Sequence, residues 1–325
     1  MTPASSDIVP PDIVPWWTLQ RADDAIVATA IHDGSGLRAE VAAAMALPQQ
    51  ERLREEDPFT GQSILDIPNH VIPHRSRFEV DLNRAEADAV YLTPDQCWGL
   101  EVWREPPDPR VVAESRRYHR AFYTMLSDLL DRIVEAHGRV VVFDVHSYNH
   151  RRNGPGGPEL PPQDAPEINI GTHSMPRARW AFLLDPLMEA MRGFDFLGRR
   201  LDVRENVAFQ GRGELARFVH ARYPETGCAI ALEFKKFYMD EWTGEPDRAA
   251  LPAMRGFMRQ TADSCRRSTA CPATRRGSTR RSTTIWKSPC LTRCCSALPP
   301  SCRAPRPATT ATTARSVAAT SSTLR

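Results

Sequence analysis

Three short apolar runs constrain this chain most: "DAIVATAI" (24–31), "RVVVFDV" (139–145) and "CAIALEF" (228–234). Each is rich in aliphatic or β-branched residues, and each ends at or beside an ionisable side chain. Runs of this length and composition read as buried strands. Stretches with helical spacing lie between them. "LRAEVAAAMAL" (37–47) follows the first run. Residues 109–137 make the longest helical segment, with Tyr118, Phe122, Met125, Leu129 and Ile133 on one face and Gly138 where a C-terminal cap belongs. "PRARWAFLLDPLMEAMRGF" (176–194) carries Pro176 in its first turn, and another helix fits 213–222. "RFEVDLN" (77–83) alternates as a strand does. Strand–helix alternation implies an α/β protein with a mixed or largely parallel sheet. In such sheets ligands bind beyond the carboxyl ends of the strands. His32, His146 and Glu233 all fall at or near such ends.

A chain of 325 residues, 25% of them charged, has room for one or two globular domains. No apolar run approaches the ~18 residues of a membrane span. The first residues, "MTPASSDIVPPDIVPWW", lack the basic start and apolar core of a secretory signal, so a cytoplasmic location is expected. The net charge of +2 conceals an asymmetry. From Cys265 onward lie 12 of the 42 Lys/Arg and none of the 40 Asp/Glu, which leaves 30 basic against 40 acidic residues before it. An acidic body is not a natural nucleic-acid binder. Six of the eight cysteines also lie at or beyond 265, leaving Cys97 and Cys228 in the body, as in a reducing compartment.

This divides the chain into one folded domain, 1–259, and a basic low-complexity tail, 260–325. The tail is poor in apolar residues and is expected to be disordered. It reads as a nucleic-acid or membrane-binding arm, or as a frameshift product of a GC-rich gene. The abrupt loss of acidic residues favours the second, as do cysteines without zinc-ribbon spacing.

Several residues in the body have the types that chemistry needs. His32 in "AIHDG" and His146 in "DVHS" each follow an apolar strand, and Gly34 allows a sharp turn after the first. A single strand-end histidine is commonly just a hydrogen-bonded residue. Two of them over one sheet edge suit a borderline-soft ion such as zinc, which in catalytic sites takes three protein ligands. "REEDPFTG" (54–61) offers Glu55, Glu56 and Asp57 as the third; Glu56 is favoured, with Asp57 next. His150 reads as a loop residue within reach of a substrate. In "SRFEVDLNR" (76–84), Arg77, Asn83 and Arg84 could grip a carboxylate, a guanidinium making the bidentate fork. Glu233 ends an apolar strand, where a carboxylate is costly without a role or a partner, although Lys235, Lys236 or an arginine could pair with it. Near a metal whose water has a pKa lowered toward ~7, Glu233 would serve as general base.

Taken in order, His32 with Gly34, the acidic cluster before Pro-Phe-Thr, "SRFEVDLNR", the Asp144-x-His146-Ser147 strand end, "ENVAFQGRGEL" (205–215) and Glu233 resemble the N-formylglutamate amidohydrolase family over roughly residues 15–245. The resemblance implies a three-layer α/β/α zinc hydrolase fold related to metallocarboxypeptidases and aspartoacylases. It implies zinc bound by His32, Glu56 and His146, Glu233 as base and then acid, and Asn83 and Arg84 on a substrate carboxylate with Arg77 nearby. The implied reaction is hydrolysis of the amide C–N bond of a small N-acyl amino acid. Two departures stand out. His32 is not followed by the His-x-x-Glu spacing of carboxypeptidases, and the second glycine of the late element is Arg212 or Gly213. Alternatives are an inactive relative that binds a carboxylate ligand and a basic-tail nucleic-acid binder. A metallophosphoesterase is excluded because its Gly-Asn-His-Asp/Glu element is missing, "IPNHVI" (67–72) being a faint echo.

Overall fold

The computed structural model describes residues 16–269. Seven strands form one sheet: β1 (Trp17–Gln20), β2 (Ile26–Thr29), β3 (Asn69–Pro73), β4 (Val140–Tyr148), β5 (Ile168–Gly171), β6 (Val203–Glu205) and β7 (Gly227–Lys235). Their spatial order is β1-β3-β2-β4-β7-β5-β6. The β1–β3 and β5–β7 pairs are antiparallel and the other four are parallel, so the sheet is mixed and largely parallel, as expected. The α-helices are α1 (Ala39–Ala44), α2 (Gln49–Glu55), α3 (Thr60–Ser63), α4 (Pro109–His137), α5 (Ala181–Arg192), α6 (Glu214–Arg222) and α7 (Ala250–Thr269).

The central strands β2, β4 and β7 carry long apolar runs because both of their faces are covered. Along β4, Val140 and Val142 pack with Phe122, Leu126 and Leu129 of α4 and Leu215 and Val219 of α6. The alternate residues Val141, Phe143 and Val145 pack with Leu183 and Leu187 of α5 and with Met254 and Phe257 of α7. Successive side chains point to opposite faces of a strand, so one continuous apolar run serves two helix layers. The three-layer architecture follows. Helix α4 covers the whole expected span and ends at Gly138, whose φ of 72° is the left-handed conformation that glycine reaches without strain. Among the described residues no helix is long and apolar enough to cross a membrane.

Three sequence expectations need correction. Residues 77–83 are not a strand but a turn segment, in which Glu79 N and Val80 N donate to Ser76 O. The alternation misleads because its polar members are also buried: Glu79 pairs with Arg38 at 2.8 Å and Asp81 with Arg77 at 2.9 Å. The neighbouring strand is instead β3, which overlaps the segment dismissed as a faint echo. Helix α5 begins at Ala181 and not at Pro176, since residues 177–180 form turns. Helix α7 runs to Thr269 and crosses the boundary expected at 259. Its buried Met254, Phe257, Met258, Thr261, Ala262 and Cys265 keep helical spacing through the change in composition. The expectation for the chain beyond 269 lies outside the described residues.

One buried histidine ties stability to pH. His220 of α6 accepts the Ala229 N–H of β7 through Nε2 at 3.0 Å, and its Nδ1 lies 3.1 Å from Ser174 Oγ. Burial pulls its pKa down to about 4. The unfolded chain takes up that proton near pH ~6.5 and the folded chain only near 4, so this contribution is complete above ~6.5 and is lost as pH falls. Urea unfolding at pH 7 and pH 5 is expected to show wild type losing about 2 kcal/mol more than His220→Gln. Equal losses would show that His220 does not titrate with folding.

Candidate metal centre

The carboxyl ends of the parallel strands β2, β4 and β7 lie side by side at the middle of the sheet. In register, Thr29 faces Asp144 and His146 faces Glu233. The chain leaving β2 turns at His32, where Gly34 passes close to the end of β3: a Cβ on Gly34 would lie 2.3 Å from the His74 carbonyl carbon. The glycine is therefore needed for space between two backbones, beyond the turning freedom read from sequence.

The next segment supplies the acid. Asp57 N donates to His32 O at 2.9 Å, which sets the Asp57 side chain beside the imidazole. Asp57 Oδ2 lies 3.4 Å from His32 Nδ1 and 3.2 Å from His146 Nδ1, and the two Nδ1 atoms are 3.2 Å apart. All three side chains are buried. Glu56, the favoured acid from sequence, is elsewhere. Its backbone is extended (φ −76°, ψ 171°), so it projects away from its neighbour Asp57. Its carboxylate accepts from Ser76 Oγ and sits 3.6 Å from Arg52 Nη1. Burial pushes its pKa up to about 7. The acid that joins the histidines is thus Asp57, the second choice of the sequence reading.

Each donor of the cluster is oriented by a further contact. His32 Nε2 bonds Asp81 Oδ1 at 2.7 Å, which places the proton on Nε2 and the lone pair on Nδ1. Asp144 Oδ1 lies 3.1 Å from His146 Nε2, and Thr29 Oγ1 donates to the same oxygen at 3.1 Å. The Asp144–His146 pair has ion-pair distance but poor hydrogen-bond alignment, for His146 Nε2 makes no hydrogen bond. Ser147 Oγ donates to Asp57 Oδ1 at 3.1 Å and leaves Oδ2 for the centre.

These distances fit an ion. A tetrahedral zinc with bonds of ~2.0–2.1 Å needs donor atoms about 3.3 Å apart. Two imidazole nitrogens at 3.2 Å beside a carboxylate oxygen need a hydrogen or a metal ion between them. The electrostatics agree. Burial alone would raise the Asp57 carboxyl, yet the imidazoles of His146 and His32 beside it hold it well below the usual range. Burial would lower His146, but Asp144 and Glu233 drive it well above the usual histidine value. The site favours positive charge.

The cluster opens into a cavity of about 130 Å³. Glu233 lines it, buried, with no hydrogen bond or ion pair among the described residues. Burial raises its pKa to about 8, against the opposing field of His146. Arg77 and Asn83 also line the cavity. Gly213 packs on Asn83 so closely that a Cβ would lie 2.1 Å from its Oδ1, which gives the departure in the 205–215 element a structural role. Arg84 is not part of the wall: it is 43% exposed, and its Nη2 donates to Gln96 O at 3.2 Å. His150 is not part of it either. It is buried against Glu241, with Nδ1 3.1 Å from that carboxylate. Lys236 and Arg152 line the cavity without any signal in the sequence that separated them from surface cations. Trp98 and Phe209 complete its aromatic side.

The model of the family described as N-formylglutamate amidohydrolase matches residues 24–239. Among solved structures, an N-formylglutamate amidohydrolase from Ralstonia eutropha JMP134 aligns with a TM-score of 0.60 at 16% identity, over 78% of this chain and 97% of that one. A gene product from Agrobacterium tumefaciens aligns at 17% identity and TM-score 0.49, over 76% and 94%. Carboxypeptidase A from Helicoverpa armigera gives 12% identity and TM-score 0.39, over 77% and 62%. No curated protein sequence matches.

Proposed function

Since this chain belongs to the N-formylglutamate amidohydrolase family, we propose that it is a zinc-dependent hydrolase of the amide C–N bond in a small N-acyl amino acid of the N-formylglutamate kind. The observation that carries the reading is the convergence of His32 Nδ1, His146 Nδ1 and Asp57 Oδ2 within 3.2–3.4 Å, beside an unpaired Glu233. Those three side chains would hold the ion. Zinc bound there supplies Lewis acidity, which polarises a carbonyl and acidifies water.

The rest is done by the chain. Glu233 takes the proton of the attacking water and returns it to the leaving amine. Burial raises its pKa above the usual carboxylate range, which favours uptake of a proton near neutral pH. Asp81 holds His32 in one tautomer and at the same time anchors Arg77 at 2.9 Å. Arg77 is braced further by Tyr91 Oη at 3.3 Å and Glu55 O at 3.3 Å, and so presents a fixed positive charge to the cavity. Such a charge stabilises an oxyanion without reorganising. Trp98 and Phe209 add aromatic surface to the cavity wall.

The test combines metal analysis of the purified full chain with turnover of N-formyl-, N-acetyl- and N-succinyl-amino acids. About one zinc per chain, and release of a free amine that stops on chelation and returns with zinc, are expected. Ligand binding without turnover would instead establish a non-catalytic relative.

A further inference from the structure

Arg77, Arg152 and Lys236 are the cations on the cavity wall. Arg77 is engaged by Asp81, Tyr91 and Glu55 O. Lys236 Nζ donates to the carbonyls of Arg54 at 2.5 Å and Glu56 at 2.7 Å, and so braces the turn that carries Asp57. Arg152 differs. Among the described residues its side chain donates no hydrogen bond, and its charged neighbour is Glu55 Oε1 at 3.6 Å. Glu55 is also shared with Arg54 at 3.8 Å and lines the same cavity.

The backbone beneath Arg152 is fixed although its head is not. His150 N and Arg151 N donate to the buried Glu241 carboxylate at 2.7 and 2.9 Å. Trp242 Nε1 donates to Arg151 O at 2.9 Å, and Leu160 N closes the loop onto His150 O at 2.7 Å. A guanidinium with five unengaged donors on an anchored stem is a prepared anion receptor. Asn83 lines the same cavity, and its amide nitrogen donates to no described group, while its oxygen accepts from Leu215 N at 3.4 Å.

Resting on the amidohydrolase reading above and on the carboxylate role the resemblance already implies for Asn83, we propose that Arg152 completes the subsite for a carboxylate of the acyl amino acid, and that this carboxylate displaces Glu55 from Arg152. A guanidinium grips a carboxylate through two parallel hydrogen bonds. The exchange replaces one carboxylate with another, so Arg152 keeps a counter-charge throughout. The freed Glu55 retains Arg54. Arg152, and not Arg84 of the "DLNR" element, is then the residue that selects acidic substrates.

The zinc-loaded full chain, Arg152→Gln, Arg152→Lys and Glu55→Gln are compared in two assays. In the first, Arg152→Gln is expected to raise KM for N-formyl-L-glutamate about 10-fold or more with kcat within about threefold, and to abolish preference over the corresponding carboxamides. In the second, glutarate binding measured by calorimetry weakens about 10-fold in Arg152→Gln, recovers in part in Arg152→Lys and tightens in Glu55→Gln. Unchanged KM and unchanged glutarate affinity in Arg152→Gln overturn the subsite even when wild type turns over. If wild type hydrolyses nothing, the amidohydrolase reading falls, and the glutarate series alone upholds or rejects the subsite.

Discussion

Replacing Asp57 with alanine is expected to remove stoichiometric zinc and to lower kcat/KM by at least about 10³-fold, equal to roughly 4 kcal/mol of transition-state stabilisation. Glu56→Gln, one residue away, is expected to keep zinc and to change kcat/KM by less than about threefold. The contrast follows from opposite projections. Asp57 Oδ2 lies 3.2 Å from His146 Nδ1, whereas the Glu56 carboxylate lies against Ser76 and Arg52. With its pKa raised to about 7, Glu56 also has less charge to lose than an ordinary carboxylate. His146→Ala should behave as Asp57→Ala does. Metal content after dialysis, measured on the same preparations as the kinetics, decides the matter. Zinc retained by Asp57→Ala and lost by Glu56→Gln would exchange their roles.

Glu233→Gln is expected to lower kcat by about 10²–10⁴-fold while zinc content and KM stay near wild type, because a positioned proton acceptor contributes on that scale. The amide keeps the shape of the side chain but cannot accept the water proton. The pH profile provides a second reading. Glu233 must be ionised to act, so kcat/KM rises with pH through its pKa. Burial lifts that pKa to about 8 when only the chain is present. A nearby cation lowers it, so the ascending limb of the zinc-loaded enzyme should lie below 8 and should vanish in Glu233→Gln. An ascending limb that survives unchanged in the variant would assign the proton acceptor elsewhere.

The parts of this arrangement that came through in the sequence are those written in periodicity. Apolar runs ending in His32, His146 and Glu233 placed those residues at the sheet's carboxyl edge, where ligands bind in sheets of this kind. What periodicity could not decide was set by long-range contacts. The choice between Glu56 and Asp57 depends on the bond from Asp57 N to His32 O, between residues distant in sequence. "RFEVDLN" looked like a strand because Glu79 and Asp81 are buried ion-pair partners that imitate a solvent face. Arg84 looked like the anion binder, whereas the turn after Asp81 sends it toward Gln96. Helix α7 was hidden by composition: its last turns share residue types with the segment beyond them, although Cys265 is fully buried.

The in-register pairing of His146 with Glu233 has a corollary. Neighbouring strands are held ~4.8 Å apart by their ladder, so the spacing between His146 and Glu233 is set by the sheet itself. On the subsite proposed for Arg152, an engineer seeking a new acyl amino acid would leave β4 and β7 alone and redraw residues 150–157.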